Sequence, residues 1–256
     1  MFQVIAYFKF LFASTNEHGV HSPFVYDLIT KCFYNKSELP VYKKLQLYRA
    51  GLLTNKNTIS VTDFGAGSRR FKSAEREISA IAKTAGITPK RAKLLARLAG
   101  YFKFNSVLEL GTSLGLASSA IAFTAPKTKI TTLEGCPETA AIAKAQFETH
   151  HLHNITPIVT DFSEYLNSNT QAFDLVYFDG NHQKEATLSY FNTLVQQATN
   201  DTVFIFDDIH WSKDMEDAWT ELKNHPKVTI TIDTFYWGFV FFRTENKHKE
   251  HFIIRA

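Results

Sequence analysis

Short apolar runs alternate with longer mixed segments from Val107 to Arg243, and this alternation predicts the fold. Val107, Leu108 and Leu110 form a run suited to a buried strand, and Gly111 breaks it. Gly115 then opens LASSAIAFTA, whose small and apolar residues read as a helix. KITTL (129–133) is a second expected strand ending at Glu134, with 137–149 as its helix. NITPIV (154–159) is a third despite Pro157, and leads to Asp161. FDLVYFD (173–179) is a fourth, followed by a helix over about 184–198. TVFIFDD (202–208) is a fifth, with a helix over 214–223. VTITIDT (228–234) and FVFFR (239–243) are separated by FYWG, too short for a crossover helix, so they should pair antiparallel. Repeated strand–helix units closed by an antiparallel pair describe a doubly wound, Rossmann-like α/β sheet with a modified edge.

Residues 1 to about 90 lack this rhythm and are expected to be a mainly helical extension, a lid, with the sheet domain over 91–256. MFQVIAYFKFLFA is apolar, but Lys9 interrupts it and no basic leader or cleavage pattern accompanies it. It is too short to span a bilayer and reads as a helix packed on the protein, covering the site or an oligomer face. In HSPF (21–24), Ser22 suits an N-cap and Pro23 the first helical position. His18 and His21 are three apart with no further ligand nearby, so cap and packing roles fit them. The segment 58–72, with DFGAGS at its centre, imitates a nucleotide-binding turn but runs into Ser68, Arg69, Arg70, Phe71 and Lys72, with no second strand behind it. It reads as a surface turn, or as a loop whose arginines meet an anionic substrate group. The next clear helix is 89–99, with Leu94, Leu95 and Leu98 on one face.

Composition narrows the class. In 256 residues, 45% hydrophobic and 21% charged content describe a globular chain able to bury a core. A net charge of +3 is too mild to argue for nucleic acid. The 23 Phe supply a core before they supply a pocket. Cys32 and Cys136 stand alone, which indicates neither a disulfide framework nor a thiolate zinc site and fits a reducing cytoplasm. Peripheral membrane contact through the apolar N-terminus is the minority reading, and a homo-oligomer is left open. The HHLH cluster of His150, His151 and His153 sits where a helix ends, and reads as a solvated terminus.

The candidate chemistry lies at the ends of the expected strands. ELGTSLG (109–115) is a strand end, a glycine turn and a helix start, spaced E-x-G-x-x-x-G rather than the G-x-G-x-x-G of dinucleotide enzymes. Its glycines allow backbone to approach a nucleotide-like ligand, and Glu109 can hold a cationic or hydroxylated part of it. Acids recur at later strand ends: Glu134, Asp161, Asp179, Asp207 and Asp208. In open α/β sheets, ligands bind at those carboxyl ends. Glu134 can take both ribose hydroxyls, and Asp161 with Phe162 can meet an adenine.

ELGTSLG, TTLEG, TDF, FDLVYFDGNH and FIFDDIHW, in that order and spacing, resemble the class I S-adenosylmethionine-dependent methyltransferases. The resemblance is to their catechol and caffeoyl-CoA O-methyltransferase-like small-molecule branch, and covers about residues 90 to 245. It implies a seven-stranded sheet ordered 3-2-1-4-5-7-6, and methyl transfer to a small-molecule acceptor, foremost a hydroxyl oxygen. It implies Glu109, Gly111 and Ser113 around the methionine part of the cofactor, Glu134 on the ribose, and Gly135, Cys136, Asp161 and Phe162 about the adenine, with Asp179 at the site. In the metal-dependent branch an Asp ends the fourth strand and an Asp-Asn pair the fifth. By that resemblance Asp179, Asp207 and Asp208 would hold Mg²⁺, or Mn²⁺ or Ca²⁺, with Asp208 where Asn is usual. Three carboxylates suit a hard divalent ion. His182 stands three residues after Asp179, where the catechol enzymes place a lysine base, and an imidazole can take a hydroxyl proton. His210 in DDIHW is the second candidate base. A metal-independent N- or O-methyltransferase using either histidine is the nearest rival. More distant are an NAD-dependent oxidoreductase, which lacks its glycine fingerprint here, and a non-catalytic nucleotide-binding protein.

Overall fold

The computed structural model describes residues 2–62, 64 and 73–256. Asp63 and residues 65–72 lie outside it, and with them the DFGAGS turn and its arginines. The chain divides into two compact units, 36–165 and 1–35 with 166–256.

The 36–165 unit carries β1 (Ser106–Leu110), β2 (Lys129–Glu134) and β3 (Ile155–Val159), all parallel with β2 in the middle. This is the expected 3-2-1 order. The strand β1 is buried along nearly its whole length, as its unbroken apolar run requires. Helix Leu116–Thr124 follows it, and its small residues Ala117, Ser118, Ser119 and Ala120 are all buried, so close packing explains their size. The helices Val41–Thr54, Ile78–Thr84 and Pro89–Phe102 belong to this same unit. Arg49 joins two of them by donating to the carbonyls of Ala82 and Ile87. The Tyr48 hydroxyl donates to the Leu114 carbonyl at 2.9 Å, inside the glycine turn. Residues 36–90 thus belong to the compact unit that holds that turn, whose boundaries fall at 35/36 and 165/166. A short antiparallel pairing of Thr58–Ser60 with Glu75–Glu77 leads into and out of the undescribed segment.

The second unit carries β4 (Leu175–Phe178), β5 (Val203–Asp207), β6 (Ile230–Asp233), β7 (Trp237–Phe241) and β8 (Glu250–Ile253). β5 is parallel to β4, and β7 is antiparallel to both β5 and β6. The order 4-5-7-6 and the antiparallel pair are as expected. The connection is shorter than FYWG, because Trp237 and Gly238 already belong to β7. Phe235 makes the bend at φ 73, in a left-handed conformation rarely taken by an aromatic residue. β8 adds an edge strand parallel to β6 that the apolar pattern does not reveal. Its EHFI has one apolar pair and two polar residues.

Phenylalanine is the filling of this unit. Phe178 and Phe206 stack at 4.1 Å on neighbouring strands, and Phe191 and Phe242 pack edge-on against Phe204. Helix Phe2–Ala13 buries Ala6 and Phe10 against Phe235. Pro23 does start a helix, with Ser22 at the cap, although the Ser22 side chain makes no capping bond. Mainly parallel strands flanked by helices make this a Rossmann-like α/β fold. No helix among the described residues is long and apolar enough to cross a membrane.

Candidate active site

In the first unit the site is built by the turn after β1. Three of its five residues have positive φ: Gly111 at 108°, Ser113 at 47° and Gly115 at 75°. The backbone N–H groups of Gly111 and Thr112 donate to the Leu133 carbonyl at 2.9 and 3.0 Å, stitching the turn to β2. A side chain at Gly115 is impossible without rearrangement. Its Cβ would lie 2.4 Å from the Phe147 ring and 2.6 Å from the Tyr48 hydroxyl.

Glu134, the last residue of β2, accepts from Ser113 N–H at 2.8 Å through Oε2 and from Cys136 N–H at 3.0 Å through Oε1. One carboxylate thus fixes both the glycine turn and the chain after β2. Glu109 is 1% exposed. The hydroxyls of Ser118 and Thr132 donate to its Oε2, and Thr112 continues the chain of hydroxyls at 2.6 Å from Thr132. Its Oε1 is buried without a hydrogen-bond partner. Burial is the largest influence on this carboxyl and outweighs the two hydroxyls, which pull the other way. With the Glu134 charge adding to it, burial pushes the pKa from 4.5 up to about 7.

Gly135 and Cys136 follow directly. A Cβ on Gly135 would lie 2.7 Å from the Phe64 ring, so that ring rests on the glycine in the place of a side chain. Phe64 is still 62% exposed. Ser60 N–H donates to Glu138 at 2.6 Å, and the Cys136 thiol to the Ser60 carbonyl, which hold the approach to Phe64 against this loop. Sequence reasoning did not single out Phe64. The only signal was an aromatic residue in a false glycine turn, and the need of Gly135 for an apolar neighbour shows only in three dimensions. Asp161 is exposed and caps helix Phe162–Ser168 by accepting from Glu164 N–H at 3.1 Å. Phe162, half-buried, begins that helix.

The second unit holds the remaining candidates. Phe178 and Phe206 are partners across β4 and β5, so Asp179 and Asp207 come next on adjacent parallel strands. Asp207 is buried and Asp179 half-buried. Asp208 has φ 54, which ends the strand's alternation at Asp207 and turns the chain toward Trp211. Among the described residues no three Asp, Glu, His or Cys side chains gather to hold an ion. The expected Asp179, Asp207 and Asp208 set therefore stands at two adjacent strand ends without forming a three-residue cluster. His18, His21, His150, His151 and His153 form no metal cluster either. His150 is not merely a solvated terminus, because its ring packs at a tilt against Tyr48 at 4.9 Å and burial lowers its pKa.

His182 is half-buried, three residues past Asp179. Asn181 before it takes φ 52 and donates through Nδ2 to the Tyr190 hydroxyl at 3.1 Å, which fixes the start of the His182 loop. His210 is placed differently. Its Nε2 lies 2.8 Å from Asp233, and its Nδ1 is buried and 3.4 Å from Glu216. Its ring stacks on Phe235 at 5.3 Å. Both nitrogens face carboxylates of the protein, so His210 links β6 to the helix Lys213–Asn224.

Residues 108–209 match a family model described as a methyltransferase domain. No curated protein matches the chain significantly. Similar solved structures include cofactor-bound Rv0187 from MTB, 18% identical, covering 85% of this chain and 94% of that one with a TM-score of 0.57. An O-methyltransferase from Bacillus cereus in complex with SAH is 17% identical, covering 81% and 92% with a TM-score of 0.54. The O-methyltransferase TomG from Streptomyces achromogenes, in complex with SAM, is 15% identical, covering 81% and 91% with a TM-score of 0.55. The strand orders, the turn after β1 and the acid ending β2 agree with that likeness: residues 108–209 resemble a methyltransferase domain, and the chain has the Rossmann-like fold of these methyltransferase structures.

Proposed function

We propose that the protein transfers the methyl group of S-adenosylmethionine to a small-molecule acceptor, at a hydroxyl oxygen. The observation that carries the reading is the turn after β1, held by Glu134 and backed by the methyltransferase-domain match. The B. cereus and S. achromogenes proteins named above are O-methyltransferases solved with SAH and SAM.

The residues fit such a cofactor in three respects. Glu109 Oε1 is a buried acceptor lacking a partner, suited to the amino group of the methionine part. Gly111 and Ser113 supply the close backbone beside it. Glu134, already oriented by two N–H groups, suits the ribose hydroxyls, and Gly135, Cys136, Asp161 and Phe162 remain the adenine side. Phe64, resting on Gly135, adds an aromatic wall there. When bound, the cofactor supplies an electrophilic methyl on sulfur. In our reading His182 would accept a hydroxyl proton from the acceptor, and Asp179, at the same strand end, would orient that acceptor. His210 takes no part as a base. This reading assigns the proton transfer to His182 and needs no Mg²⁺.

Calorimetry with S-adenosylhomocysteine, together with a labelled-methyl screen over catechols, hydroxy acids and amines, tests the reading. Binding of S-adenosylhomocysteine with methyl transfer to an alcohol or phenol is expected. Tight NAD binding and none of the sulfur nucleoside would overturn it.

A further inference from the structure

Tyr48 belongs to helix Val41–Thr54, outside the stretch 108–209 that resembles a methyltransferase domain, yet it reaches into the turn that this stretch builds. Its side chain is fully buried, and its hydroxyl donates to the Leu114 carbonyl at 2.9 Å. Two rings hold it in place: His150 lies at a tilt against it at 4.9 Å, and Phe123 meets it edge-on at 6.4 Å. Fixing the ring fixes the hydroxyl. Burial, with the Glu109 charge adding to it, holds the phenol well above its ordinary pKa of 10.0, so it stays a donor at every working pH.

The other ties of the turn come from a different direction. Gly111 and Thr112 donate to the Leu133 carbonyl, and Ser113 to Glu134, so the first three residues are fastened to β2. Among the described residues no bond joins Leu114 or Gly115 to β2. The Gly115 N–H closes back on the Thr112 carbonyl at 2.8 Å, within the turn itself. Gly115 then enters helix Leu116–Thr124 from a left-handed conformation at φ 75. Glycine tolerates either sign of φ, so the peptide between Leu114 and Gly115 has more than one orientation open to it. The Tyr48 hydroxyl selects one of them. Without it, the Leu114 carbonyl is buried and lacks its donor, and rotating the peptide becomes the way to recover one.

We propose that Tyr48 is a positioning residue for the sulfur nucleoside: its hydroxyl selects the binding-competent orientation of the Leu114–Gly115 peptide and so sets cofactor affinity. The proposal rests on the reading of this turn as the S-adenosylmethionine site. Fully buried, Tyr48 acts through the turn, and apparent affinity falls in proportion to the fraction of turns that stay competent.

Calorimetry with S-adenosylhomocysteine tests this on the full chain, comparing the wild type with Tyr48→Phe, which keeps the ring and its packing and removes one hydroxyl. The Kd of the variant should rise at least about fivefold, the equivalent of about 1 kcal/mol for a carbonyl left without its donor. Hydrogen exchange supplies a readout that a merely structural bond would not move. Without ligand, the amides of Ser113 and Gly115 should exchange faster in the variant, and saturating S-adenosylhomocysteine should return them to wild-type protection. A wild-type Kd in the folded variant overturns the proposal and leaves the methyltransferase reading intact. Faster exchange spread over the whole unit assigns the bond to stability alone and also overturns it. No binding by the wild type overturns the methyltransferase reading, and the proposal with it. Should Tyr48→Phe not fold, a ring-fluorinated tyrosine at position 48 keeps the hydroxyl, and its fluorine NMR signal should shift when S-adenosylhomocysteine binds. An unmoved signal overturns the proposal.

Discussion

Replacing Glu109 with Gln isolates the most perturbed charge in the candidate site. The carboxyl is fully buried, two hydroxyls donate to one oxygen, and the other has no partner. Gln keeps the shape and the accepting oxygen and removes the titration, so it stands in for the protonated acid at every pH. Burial raises the pKa from 4.5 to about 7. The folded state then binds the proton more tightly than the unfolded chain. The sign follows: this group's contribution is fully present below about 4.5, declines as pH rises, and is lost above about 7. A difference of about 2.5 units corresponds to about 3 kcal/mol, of which ionisation at neutral and alkaline pH takes the whole.

The assay is the wild-type minus Gln difference in unfolding free energy, from urea melts at a series of pH values. Taking the difference cancels the titration of every other group. The Gln variant should gain on the wild type by about 1.4 kcal/mol for each pH unit through the window, reaching about 3 kcal/mol by pH 8. In thermal melts this corresponds to a relative gain of roughly 6–12 °C for a chain of this size. S-adenosylmethionine should reverse the preference, because an amino group beside Oε1 favours the ionised acid. Its binding near pH 6 should release protons in the wild type and not in the Gln variant. A wild-type to Gln difference that stays constant between pH 4.5 and 8 would refute the reasoning and place water or a cation beside the carboxyl.

The remaining expectations concern the same cradle and the second strand end. Gly115→Ala should destabilise by about 2–5 kcal/mol in urea, from a left-handed φ and contact with Phe147 and Tyr48, and a loss below about 1 kcal/mol would show that the turn yields. Glu134→Ala should weaken S-adenosylhomocysteine binding by about 1.5–3 kcal/mol in calorimetry, and unchanged affinity would remove it from the site. Phe64→Ala should weaken the same binding by about 1–3 kcal/mol, the worth of stacking one base, whereas tighter binding would mean that the ring obstructs the adenine side. Methyl transfer should survive EDTA and be lost in His182→Gln with cofactor affinity intact. Loss in EDTA restored by Mg²⁺ would show that Asp179, Asp207 and Asp208 do gather on an ion.

The parts of the fold legible in the sequence were those fixed by local constraints. A run such as Val107 to Leu110 can be buried only as a strand of a covered sheet, and Gly111 and Gly115 mark where the chain must bend back. The link between β6 and β7 was too short for a helix, which settled their antiparallel pairing. The parts that were not legible depend on partners distant in sequence. Nothing in Val41–Thr54 shows that the Tyr48 hydroxyl will donate to Leu114, so residues 1–90 read only as a helical extension. His210 stands beside two acids in the sequence, yet its partners are Asp233 and Glu216. Asp161 shows a third limit: one residue type served equally as a helix cap and as an adenine acceptor, and the capping bond is visible only in the structure.

Glu134 joins the fold to the proposed chemistry. A carboxylate at a strand end could wait in solvent for a ligand, and would then have to be ordered when the ligand arrives. Here it already accepts N–H groups from both sides, Ser113 in the glycine turn and Cys136 beyond β2. Of the turn's three positive-φ residues, Ser113 is the one that is not glycine, and it carries the conformational cost. Its N–H bond to Glu134 offsets part of that cost in the folded chain. The acid is thus oriented by the strain it relieves, and ordering it is complete before any ribose hydroxyl is presented. This arrangement explains why Glu134 should weaken both stability and cofactor binding when removed, whereas Phe64, exposed and resting on a glycine, should affect binding alone.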